Sequence, residues 1–83
     1  MLERGPVRYD PVADCLYVTL SKAPVGHTRT IDDLRMVDLA ASGEVVGVEF
    51  IGVLDGLDLH DIPRAAEVER LLRASELPLL ITA

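Results

Sequence analysis

The stretch that most constrains this chain is Leu34 to Val53, LRMVDLAASGEVVGVEFIGV, in which aliphatic residues alternate with small or charged ones on either side of a Ser-Gly turn. Alternation at period two marks a strand with one buried face. Val37 and Leu39 therefore share a face with Val46, Val48 and Phe50, while Asp38, Gly47 and Glu49 fall on the other. A slip of one residue would push two carboxylates into the core, so the register is strongly specified. Between the strands, Ala40 to Glu44 includes Gly43, which supplies the positive φ that a short hairpin needs.

The rest of the chain extends or covers this hairpin. Met1 to Pro6 reads as a lead-in without structure of its own. Val7 to Asp10 and Cys15 to Leu20 form a second hairpin, whose turn starts at Asp10-Pro11, with Leu16, Val18 and Leu20 toward the core. Ser21 to Gly26 is a connection, and His27 to Ile31 is a polar strand suited to an edge. The first half is thus a meander of four to five antiparallel strands. In the second half the loop Asp55 to His60 leads to Asp61, a candidate N-cap, and Pro63 fits a first helical turn. The helix is expected to run to Ser75, with Val68, Leu71 and Leu72 on the face that packs on the sheet. The apolar tail, residues 77–83, is a candidate strand for this sheet or a partner's. The expected architecture is a single α+β domain over residues 1–83: an antiparallel sheet over 7–53, a helix over 61–75 and the tail.

Size and charge narrow the function. An 83-residue chain buries only about 60 to 65% of the surface its unfolded state exposes. With few aromatic residues and no disulfide partner for Cys15, a homo-oligomer is expected, because association adds the burial that one small core lacks. A net charge of −6 and a pI near 4.6 argue against nucleic acid, whose phosphates call for clustered Lys and Arg. No segment has the length and hydropathy of a membrane span or a secretory leader, so no membrane association and a cytoplasmic location are expected.

Two motifs carry a likeness. Tyr9, Asp10 and Asp14 lead into the strand with Leu16 and Tyr17; later come Val37-Asp38-Leu39, Gly43 and Val46-Gly47-Val48-Glu49. Over about Val7 to Val53 the chain resembles the small bacterial family known as domain of unknown function 2283. The resemblance implies a small antiparallel sheet with a C-terminal helix, no established activity, and an association with small neighbouring proteins, some of them toxin-like.

Among candidate chemical groups, Asp10, Asp14, Asp38 and Glu49 are the foremost, because carboxylates grouped on an exposed hairpin face can hold a hard cation or receive a basic partner. The simpler reading makes Asp10 and Asp14 turn caps and Asp38 and Glu49 solvent-facing strand residues, with Arg29 and Arg35 as neighbours. Asp55, Asp58, His60 and Asp61 match neither a calcium loop nor a zinc pattern. Cys15 has no base or oxyanion hole near it in sequence, and His27 reads as a strand residue. No catalytic residue, cofactor or metal site is assigned. The function expected is a protein interaction module, an antitoxin-like binder of a small basic protein that uses Asp10, Asp14, Asp38, Glu49, Leu79, Leu80 and Ile81. The alternative is a ligand- or metal-binding domain or minor enzyme, with a pocket between sheet and helix formed by Tyr17, His27 or the Asp55 to Asp61 loop.

Overall fold

The computed structural model describes residues 1–82. The alternating stretches become strands β1 (Leu2–Arg4), β2 (Val7–Asp10), β3 (Cys15–Thr19), β4 (His27–Asp32), β5 (Arg35–Leu39) and β6 (Val45–Ile51). They form one antiparallel sheet in the order β1-β2-β3-β6-β5-β4. The fold is α+β, with six strands in the main sheet rather than four or five. The extra strand is β1, in the segment expected to lack structure. Gly5 stands at φ +60° between β1 and β2, the conformation a two-residue hairpin turn demands, so Leu2 faces Tyr9 and Arg4 faces Val7.

The sheet is also not a simple meander, since the chain leaves β3 and returns to it only with β6. A meander would strand β6 at an edge and put polar β4 in the middle. The observed order does the reverse. Val46, Gly47, Val48 and Phe50 of β6 are all buried, whereas His27 to Thr30 of β4 are exposed at the outer edge. Val7 faces Val18 in the first hairpin and Val37 faces Val48 in the second. Val18 and Val48 in turn face each other across β3 and β6. The two hairpins are therefore related by an approximate two-fold axis through that valine pair.

The core lies on one face of the sheet. Val7, Leu16, Val18, Val48 and Phe50 cluster there with Val53, Leu57, Leu59 and Ile62 from the chain that follows β6, and with Val68 and Leu72 of the helix. Each such side chain contributes about 1.5 to 3 kcal/mol by leaving water. The helix, α1, spans Ala65–Ala74 and so begins later than the sequence pattern suggests. Asp61 and Arg64 both have positive φ, 62° and 58°, so the chain cannot be helical there, and Asp61 is not the N-cap. The cause is Ile62, which is drawn into the core before the helix starts. Arg64 occupies the capping position without a capping hydrogen bond and reaches instead to Glu67 in the first turn.

At the other end of α1 the Ser75 hydroxyl donates to the Leu72 carbonyl at 2.6 Å. The tail then forms β8 (Ile81–Thr82), parallel to β7 (Leu57–Asp58) of the same chain, with Leu57 N–H donating to the Leu80 carbonyl. Leu77, Leu79 and Ile81 pack against the core, and Leu80 is exposed.

Candidate functional site

The acidic residues of the opening motif belong to the turns at one end of the sheet. Asp10 accepts hydrogen bonds from the Val12 and Ala13 N–H groups at 3.0 and 3.3 Å, a carboxylate capping its own turn. Asp14, at φ 54°, accepts the Tyr9 hydroxyl at 2.7 Å and the Leu54 N–H at 3.1 Å. Its carbonyl also accepts the Gly52 N–H at 2.9 Å. One residue thus ties the β2–β3 turn to the 3-10 turn Val53–Asp55 that follows β6. The hydrogen bond to the Asp14 carboxylate raises the pKa of the Tyr9 phenol.

Asp38 and Glu49 lie on the face of the sheet away from the helix, out of phase with buried Val37 and Val48. They are not opposite one another: Asp38 faces Gly47, and Glu49 faces Met36 on one side and Tyr17 on the other. Asp38 accepts the Tyr17 hydroxyl at 2.7 Å and the Thr28 hydroxyl at 2.6 Å. To reach it, Tyr17 lies across β6 directly over Gly47, where a Cβ would collide with its ring. Burial first, and then the hydrogen bond that its hydroxyl donates to Asp38, push the Tyr17 pKa well up. Tyr17 therefore sits on the opposite side of the sheet from the helix, not in a pocket between the two.

Nearby, Met1, Arg8, Asp10, Cys15, Tyr17 and Glu49 line a shallow concavity. Burial and the carboxylates of Glu49, Asp10 and Asp14 push the Cys15 thiol up, the reverse of what a nucleophilic thiolate requires.

Arg35 does not neighbour Asp38 or Glu49. It is buried on the helix face, two residues in phase before Val37. Its guanidinium bonds Asp32 through Nε and Nη2 at 3.0 and 2.7 Å, and through Nη1 it reaches the Asp58 carbonyl at 3.2 Å and the His60 carbonyl. This holds the 56–61 loop against the sheet. The hydrogen bond from Arg35 and that from the Leu34 N–H keep the Asp32 carboxyl below the usual carboxylate range. In the same loop Asp58 caps the His60 N–H at 2.9 Å, and His60 lies 3.4 Å from Asp61. Among the described residues, no three His, Cys, Asp or Glu side chains converge as a metal site would require, and no helix is long and apolar enough to cross a membrane.

An apolar groove of about 180 Å³ lies between β1, the 3-10 turn and the tail, lined by Leu2, Tyr9, Leu54, Leu77, Leu79 and Leu80 among others. Sequence pattern alone does not place Leu2 there, and for Leu54 the signal is the turn pattern at Gly52 to Gly56.

A family model described as protein of unknown function DUF2283 matches residues 7–53, more than half of the chain. The chain belongs to the DUF2283 family. No curated protein and no solved structure gave a significant match. In this DUF2283 domain the matched segment runs from β2 to Val53, so it contains Asp14 with its partners Tyr9 and Gly52 and the Tyr17–Asp38–Gly47 contact, while Leu54, the other partner of Asp14, lies just beyond it. The groove straddles its boundary, with Leu77 to Leu80 supplied from outside the match.

Proposed function

We propose that the domain is a protein interaction module that binds a basic protein partner. The observation that carries this reading is the apolar groove flanked by exposed Leu54 and Leu80 on a chain of net charge −6, since an exposed apolar patch with a polar surround is what protein contacts use. The polar groups of the family motif support the same reading, because Asp10, Asp14, Asp38 and Tyr17 are engaged in holding the fold. The test is affinity capture from cells at low salt, followed by light scattering of the purified pair. A defined heteromer with a basic protein that weakens about tenfold or more between roughly 50 and 300 mM salt supports the reading. A partner that is acidic, or a complex indifferent to salt, refutes it.

A second reading, that the domain also pairs with itself, is favoured by β4. Its residues His27 to Thr30 are exposed at the free edge of the sheet, and such an edge is a template for another strand.

A further inference from the structure

Neighbouring strands in the main sheet are all antiparallel, so β2, β4 and β6 run in one direction and the turns that follow them share one end of the molecule. Exposed large apolar side chains gather at that end. Val12 is 96% exposed in the turn after β2, Leu34 53% in the turn after β4, and Leu54 80% in the 3-10 turn after β6. Leu80, 63% exposed, joins them from the tail, and Leu2 joins them from the start of β1. Among the described residues, Val25 is an exposed large apolar side chain at the opposite end.

These turns are bonded to each other. The Asp14 carboxylate accepts from Leu54 N–H, the Leu34 carbonyl accepts from Ile51 N–H at 2.8 Å, and the Leu80 carbonyl accepts from Leu57 N–H at 2.7 Å. The apolar side chains therefore stand on a rigid base. Around them the same turns carry Asp33 and Asp55, both exposed, and Asp10. Their basic side chain, Arg35, is turned inward onto Asp32 and the loop carbonyls. A second copy docked here about a two-fold axis would set one acidic rim against another, which costs affinity. The charge selects an occupant of the opposite sign.

We propose that this end of the sheet docks an amphipathic basic segment of a partner protein, with its apolar residues in the groove between Leu54 and Leu80 and its Lys or Arg residues against Asp33 and Asp55. The inference rests on the interaction reading above and assigns it a surface and a partner chemistry. It is distinct from the Asp38–Glu49 face.

The experiment titrates the full chain with three synthetic peptides of one helical pattern: leucine with lysine, leucine with glutamate, and serine with lysine. Binding is read by calorimetry and by backbone amide NMR. The leucine–lysine peptide alone is expected to bind, shifting amides in residues 12–14, 33–34 and 52–56 and those of Leu77, Leu79 and Leu80. A Leu54→Ser, Leu80→Ser variant, altered only at exposed positions, should keep the amide spectrum of the fold and bind about tenfold or more weakly. If the peptide instead shifts Asp38, Glu49 and their neighbours, and the variant binds normally, this inference fails while a basic partner stands. If neither lysine peptide binds, the inference and the basic-partner reading fall together. A dimer of the free chain that the double variant breaks would make a second copy the occupant and overturn the inference.

Discussion

Tyr17 shows how one residue's placement depends on the absence of another's side chain. Its ring crosses β6 over Gly47 to donate to Asp38 on the next strand. Gly47→Ala puts a Cβ into that ring, so the half-buried Tyr17 side chain must swing off β6 and give up its hydrogen bond to Asp38. A loss of about 0.5 to 1.5 kcal/mol is expected by urea unfolding, because that hydrogen bond goes unmade. The cost should be much smaller in a Tyr17→Ala background, and equal costs in the two backgrounds would show that Tyr17 is not what Gly47 makes room for. The same contact sets a pH dependence. The folded-state pKa of Tyr17 is raised above its unfolded value near 10, so its contribution to stability is fully present below about pH 10 and is lost as pH rises beyond it. Tyr17→Phe removes the titrating group, and its stability should fall less than the parent's between about pH 9 and 11.

Arg35 ties two elements that the sheet alone would leave apart. It has two carboxylate partners, Asp32 and, at 3.8 Å, Asp58, and two carbonyl partners, of Asp58 and His60. Arg35→Met keeps an unbranched apolar stem without the guanidinium and leaves those carbonyls without their donor, for an expected loss of about 2 to 4 kcal/mol. Hydrogen exchange in residues 56–62 should quicken more than in β3 or β6; equal quickening everywhere would mean that the loop is not held by this residue. Asp32 gives the tie an acid limit. Its folded pKa is depressed, so its contribution is present above the unfolded carboxylate range and is lost as pH falls below it toward the folded value. The tail is a further such element. Leu77, Leu79 and Ile81 lie against the core, so a chain ending at Ser75 should lose about 3 to 5 kcal/mol and expose the groove floor. A truncated chain with the parent's unfolding midpoint would contradict that packing.

The legibility of these elements in the sequence follows from what local pattern encodes. Period two places a residue on a face, and so the phase of Val37, Val48, Leu16 and Val18 is readable. It does not name neighbours, which is why β6 beside β3 was hidden, although Gly47 between two valines hinted at a strand crowded on both faces. Strand β1 has three residues, all exposed, and hence no pattern; only Gly5 marked it. Arg35 was in phase with the core, but a charge there is unexpected until the loop carbonyls that receive it are in place. The helix start moved because Ile62, distant in sequence from the sheet, is buried against it. The engaged state of Asp14 and Asp38 could not be read, since their partners Leu54 and Thr28 are supplied by other strands and turns.

At the scale of the whole molecule, charge and edge pull in opposite directions. The net charge of −6 repels copies of the chain from one another, whereas β4 offers a free edge with exposed residues from His27 to Thr30. The self-association proposed above therefore has a condition: it should grow as salt screens the repulsion and as pH falls toward the pI near 4.6. Light scattering from about 5 to 500 µM protein at low and high salt reads this directly, with mass rising toward twice 9.0 kDa as ionic strength increases. Thr30→Lys sets like charges near each other across a symmetric pairing of two β4 strands and should hold the chain at the monomer mass without changing its unfolding midpoint. The two associations respond to salt with opposite sign, since binding of a basic partner weakens where self-pairing strengthens. A mass that stays at the monomer value across that range would remove the β4 edge as an interface and leave the turn end of the sheet as the one proposed docking surface.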